Sequence, residues 1–254
     1  MAHKNLEHKR FLMTTTLTTP HIYYNKVNNI SAQAQEALDK AHEYFDKQDI
    51  AQVTEYYKKA VEANPKSPEL MSNVGAILSV QGAAPEGVKL LKQAIDTDPK
   101  CVGALYNLAT LFLSGNAIKL ALEYFEKAVA VDPKSPAILN NLGITYLHMG
   151  NYAKAQECFQ KALEVNGSFD YALHNLGTVF YDQSKFEEAM NWFHKSLALN
   201  AQNFATLNDL GCALYLDGKT DEAITFFKKS IESNKQYRAP YYNLGFVVNA
   251  EKLV

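Results

Sequence analysis

From residue 34 onward, apolar residues recur three and four positions apart, stop at a turn, and resume. "SPAILNNLGITYLHMG" followed by "YAKAQECFQKALEV" is one instance. That spacing lays one apolar stripe along each of two successive helices, and Gly150 marks the end of the first. The pattern is periodic. A step of 34 residues carries Gly143 to Gly177, Gly211 and Gly245, and back to Ala109, Gly75 and Ala41. The same step links Ala155 with Val53, Gly87, Ala121, Ala189 and Ala223, and Phe159 with Tyr57, Leu91, Phe125, Phe193 and Phe227. Leu142 leads to Val74, Leu108, Leu176, Leu210 and Leu244, with Lys40 as the departure. Asn64, Asp98, Asp132, Asn166, Asn200 and Asn234 close successive repeats.

The chain therefore divides into a leader (1–33), six repeats (34–67, 68–101, 102–135, 136–169, 170–203, 204–237) and a half repeat or capping helix at 238–254. Every proline except Pro20 falls in a loop or at a helix start, where its missing N–H does no harm. Glycine inside a helix costs roughly 0.8–1.0 kcal/mol against alanine, so a glycine kept at a fixed interval points to close packing. Gly143 and Ala155 are expected to face each other where the two helices of a repeat cross, with Tyr146 and Phe159 filling the space beside them. No single repeat buries its own apolar face, so stability must come from stacking.

This spacing resembles the tetratricopeptide repeat: a large residue, Leu-Gly, an aromatic, Ala and a second aromatic across 34 residues. In 136–169 those places hold Leu139, Leu142, Gly143, Tyr146, Ala155 and Phe159, with Gly167 where the family has proline. The resemblance covers 34–254. It implies an all-α fold, a right-handed superhelix (α-solenoid) of antiparallel helix pairs whose first helices line a concave wall.

Composition narrows the function. With 47% hydrophobic residues and a net charge of -2, the chain has material for a core and no basic balance for nucleic acid. Cys101, Cys158 and Cys212 lie far apart and outside any CxxC spacing, which argues for a reducing, cytoplasmic setting without disulfides or zinc. No run of 18 apolar residues exists to span a membrane. His3, His8 and His21 sit in the leader, and His42, His148, His174 and His194 fall in separate repeats without ligand spacing. No nucleophile elbow, zinc helix or phosphate loop is present. Neither an enzyme nor a bound metal or cofactor is expected.

A polar column remains. Stepping from Asn141 gives Asn73, Asn107, Asn175 and Asn243, with Asp39 and Asp209 in the same register. One reading is that these side chains join neighbouring helices. The other is that the column resembles the asparagine ladder in the repeat domain of O-linked N-acetylglucosamine transferases, which grips an extended peptide. An amide carries both donors and an acceptor, so it can bond a peptide group whatever side chain that residue has. Neutral hydrogen bonds at roughly 0.5–1.5 kcal/mol each do not reach micromolar affinity alone. Aromatic anchors are needed, and Tyr106, His174 and Tyr242 stand beside the column, with Tyr171, Tyr181 and Tyr215 near it. Tyr181 and Tyr215 serve equally well as packing residues.

Inward places of the first helices hold Asp39, Asp46, Glu69, Asp182 and Asp209, and no Lys or Arg. That departs from the carboxylate-clamp arrays that hold acidic chaperone tails, and suits a neutral or basic peptide. Lys66, Lys100 and Lys134 in the inter-repeat turns temper this preference. The expected function is a protein-interaction scaffold. The alternatives are an array that self-associates through its ends or convex face, and the targeting segment of a transferase-like enzyme. The last helix, "APYYNLGFVVNAEKLV", reads as an ordinary first helix, so either the chain continues or its end packs against something. The leader reads as flexible rather than as a secretory signal. Its stretch "TTTLTTPHIYYNKV" is suited to lie as a placeholder in the chain's own groove or a neighbour's.

Overall fold

The computed structural model describes Tyr23, residues 26–28, 30–47 and 49–251. The expectations for the rest of the leader, including His3, His8 and His21, lie outside the described residues. Thirteen helices and no strands occur among the described residues. They are α1 (Ala32–Asp46), α2 (Ile50–Ala63), α3 (Pro68–Val80), α4 (Ala84–Thr97), α5 (Val102–Ser114), α6 (Ile118–Val131), α7 (Pro136–His148), α8 (Tyr152–Val165), α9 (Asp170–Asp182), α10 (Phe186–Leu199), α11 (Phe204–Leu216), α12 (Thr220–Ser233) and α13 (Ala239–Glu251). The fold is an all-α helical repeat array. It forms two compact bodies, one reaching Thr145 and the other starting at Tyr146. In the first, α1 packs on α2, α3 on α4, and α5 on α6; in the second, α9 packs on α10 and α11 on α12. First helices also meet: α3 with α5, α9 with α11, and α11 with α13.

Local chemistry explains where the helices start and stop. Ser31, Ser67 and Asn203 cap α1, α3 and α11 by accepting from the backbone N–H three residues on. The turn between the helices of a repeat places one residue in the left-handed region at the same step each time: Gly82, Asn116, Gly150, Ser184 and Gly218. The next backbone N–H reaches back five residues, as from Ala83 to Leu78, Ala117 to Phe112 and Lys185 to Phe180. That is a Schellman-type closure, which glycine suits best. The Asx column closes the other turn. Asp98, Asp132, Asn166, Asn200 and Asn234 each accept from the backbone N–H two residues on, the side-chain mimic of a backbone turn.

The small-residue column has two structural meanings. In the second repeat, a Cβ on Gly87 would lie 2.5 Å from the carbonyl oxygen of Gly75, so the two backbones touch. At Gly75 and Gly87 this is the same kind of small-against-small crossing that the sequence suggests, two repeats on, for Gly143 and Ala155. In later repeats the glycine makes room for a ring instead: a Cβ on Gly177 would lie 2.4 Å from Phe193, and one on Gly211 2.6 Å from Phe227. The aromatic column is the core of the array, with Phe125, Phe159, Phe193 and Phe227 fully buried.

Candidate functional site

The polar column lies between first helices, and its bonds obey one rule. Four members, Asn107, Asn141, Asp209 and Asn243, reach the residue 35 positions earlier, on the preceding first helix. Asn107 Nδ2 lies 3.4 Å from Ser72 Oγ, and Asn141 Nδ2 donates to Tyr106 Oη at 2.9 Å. Asn243 Nδ2 donates to Asn208 Oδ1 at 2.9 Å, and Asp209 Oδ2 lies 3.5 Å from His174 Nε2. Asn141 and Asn243 also approach Thr110 Oγ1 and Cys212 Sγ, both 31 positions earlier. Within a repeat, Asn140 donates to Asn141 and Asn208 to Asp209. The column thus does join neighbouring helices, the first of the two readings open in the sequence.

In the second body these bonds run on into a longer network. His174 Nδ1 lies 3.0 Å from Thr206 Oγ1, which is 3.4 Å from Ser196 Oγ. Ser196 donates to Asp170, which also accepts from Asn203. The imidazole is buried, against Phe193, and burial pushes its pKa down to about 4. The neutral tautomer protonated on Nε2 serves both neighbours: Nδ1 accepts from the Thr206 hydroxyl and Nε2–H faces the Asp209 carboxylate.

The residues expected to touch a peptide therefore part into groups. Asn107, Asn141, Asn175, Asn243, Asp209, Tyr106 and His174 are buried, and Asn73 is half-buried. Tyr106 and His174 are core residues of the ladder, because the hydroxyl and the ring nitrogens sit within reach of helix-borne polar groups. Tyr242 is exposed. Asp39, also exposed, accepts from Gln35. Cys101, Cys158 and Cys212 are buried thiols outside any disulfide. No cluster of metal-binding side chains occurs among the described residues, and no helix there is long and apolar enough to cross a membrane.

Asn107 differs from the others. Its Oδ1 accepts from the backbone N–H of Tyr23 at 2.9 Å, and its Nδ2 donates to the backbone carbonyl of the same residue at 3.0 Å. One side chain so satisfies both backbone polar groups of one residue. The Tyr23 ring rests on that of Tyr106, with centroids 5.6 Å apart. Sequence reasoning passed over Ser72, Asn140 and Asn208 as partners. They precede the asparagine column by one residue, so a polar residue recurring there was the available clue.

Three family models match, at residues 37–67, at 78–136, and over two overlapping stretches, 135–202 and 170–236; all carry the description tetratricopeptide repeat. The chain belongs to the tetratricopeptide repeat family. Hsp70-Hsp90 organizing protein 1 of Glycine max is 39% identical over 56 residues, or 22% of this chain and 10% of that relative. The chain thus matches only a small part of that protein's length. Among solved structures, a tetratricopeptide repeat protein from Parabacteroides merdae is 22% identical, with a TM-score of 0.74 over 87% of this chain and 88% of that one. YrrB, described as a tetratricopeptide repeat protein with an unusual peptide-binding site, is 18% identical, with a TM-score of 0.55 over 74% of this chain and 96% of its own. At such identities the likeness is one of fold.

Proposed function

We propose that this tetratricopeptide repeat chain is a non-enzymatic interaction module that binds an extended, neutral or basic peptide segment along the faces of its first helices. The observation that carries the reading is the pair of hydrogen bonds between Asn107 and the backbone of Tyr23. It supports the kind of backbone recognition that the resemblance to the transferase repeat domain implies for the column. The other members stiffen the helices that present it.

Charge supports the choice of partner. No Lys or Arg occupies the inward places, and Lys66, Lys100 and Lys134 are exposed on the turns. The match to an Hsp70-Hsp90 organizing protein therefore does not extend to an acidic chaperone tail, which needs inward cations. Three buried thiols suit a reducing compartment such as the cytoplasm.

Panning a displayed random-peptide library against the full chain tests the reading. Enriched segments should be neutral or basic, and Asn107→Ala should weaken them at least ten-fold while the helical circular dichroism at room temperature stays unchanged. Binding indifferent to that substitution, or enrichment of acidic C-terminal peptides, would overturn it. Self-association is favoured by Tyr241 and Tyr242, adjacent and exposed on α13. Light scattering that reports a dimer lost on Tyr242→Ala would support that second reading.

A further inference from the structure

We propose that Tyr23, Val27 and Ile30 are resident occupants of the Asn107 track and the apolar cluster beside it, and that a partner must displace them with an aromatic residue followed by apolar residues four and seven places on. This rests on the peptide-binding reading and adds how the site is regulated and what pattern it selects.

The segment is fixed at both ends. Ser31 donates its backbone N–H to Asn64 Oδ1 at 2.9 Å and its hydroxyl to the carbonyl of Ala63, at the end of α2. Asn64 is the first member of the Asx column, and this bond replaces the turn bond that its later counterparts make. Val27 and Ile30 pack against the apolar cluster that includes Val53, Tyr57, Leu70 and Val74. Tyr23 then reaches Asn107 and Tyr106 on α5, two repeats further along.

Two helix-to-helix steps of 8–10 Å need about 20 Å, and seven peptide steps separate Tyr23 from Ile30, enough at about 3.3 Å each to cover that distance. Tyr23, Val27 and Ile30 are half-buried, whereas Lys26 and Asn28 are exposed. Among the described residues of this stretch, the inward ones are an aromatic, an apolar residue four places on and another three places beyond it. Burial raises the Tyr23 phenol pKa, and the Asp132 carboxylate raises it further, so the ring lies in a partly dry site.

Two bonds and one ring contact hold a tethered segment but do not lock it. A short tether keeps the segment at an effective concentration on the order of millimolar. With an intrinsic Kd near 100 μM for the segment itself, a competing free peptide loses about ten-fold in apparent affinity while the segment is docked.

A fluorescein-labelled synthetic peptide of residues 20–31 provides the probe, followed by anisotropy. It should bind full-length protein carrying Tyr23→Pro and Val27→Asp at least ten-fold more tightly than the intact chain. Adding Asn107→Ala should abolish the gain. Amide exchange gives a second measure: the Tyr23 N–H should be protected at least ten-fold in the intact chain and unprotected in Asn107→Ala. Equal affinity for the intact and doubly substituted chains, lost on Asn107→Ala, overturns the resident segment and leaves the peptide site standing. Absence of binding to both removes the site itself. A dimer of the intact chain that the double substitution dissolves overturns the assignment to the chain's own segment.

Discussion

Gly177 and Gly245 occupy one register of the repeat, yet a methyl group should act oppositely at the two. At Gly177 it would meet the Phe193 ring within 2.4 Å, whereas at Gly245 no described atom lies within 4 Å. Gly177→Ala should therefore cost about 1–3 kcal/mol through overpacking. Gly245→Ala, at an exposed helical site, should add about 0.8 kcal/mol by helix propensity. Urea titrations of the two variants should move in opposite directions. His174 makes the second case. Its folded pKa is about 4 against the usual 6.5. Between those values the unfolded chain takes up a proton that the folded chain refuses. Stability should fall as pH drops from 7 towards 4 and level off below that, by about 3 kcal/mol. Denaturation of the parent and His174→Asn at pH 7 and pH 4.5 should show a smaller loss in the variant.

At the scale of elements, the turn between the two helices of a repeat is the sensitive joint. Ser184 adopts a φ of 61° at the step that glycine fills in Gly82, Gly150 and Gly218. A non-glycine residue in that region costs about 1–2 kcal/mol. Ser184→Gly should thus stabilise α9 and α10 by about 1 kcal/mol, visible as a higher melting temperature with unchanged helical circular dichroism. Between elements, the ladder has a uniform geometry but varied chemistry: hydroxyl, phenol, imidazole and amide all accept the same place, 35 residues before their partner. A position that accepts so many polar groups fixes register between neighbouring first helices. Breaking one buried pair leaves a desolvated group and costs about 1–3 kcal/mol.

For the whole molecule, stacking makes each hairpin depend on its neighbours. A lesion should spread one repeat and then fade. Hydrogen exchange of Gly177→Ala should show faster exchange in α8 through α11, which pack on one another, with α1 to α4 unchanged. Uniform loss of protection along the chain would contradict nearest-neighbour coupling.

Periodicity alone determined the helical repeat, its 34-residue step and the apolar columns, because a stripe of buried residues must recur wherever the same hairpin is stacked. It also exposed the asparagine column and proposed the leader as a placeholder. The environment of that column was decided in three dimensions. Asn107 and Asn141 look alike in sequence, but one meets the backbone of Tyr23 and the other the hydroxyl of Tyr106. The difference arises from contacts 84 and 35 residues away. A repeating sequence gives every amide the same register, but the varied residue 35 positions earlier and the distant Tyr23 are brought to it only by the fold.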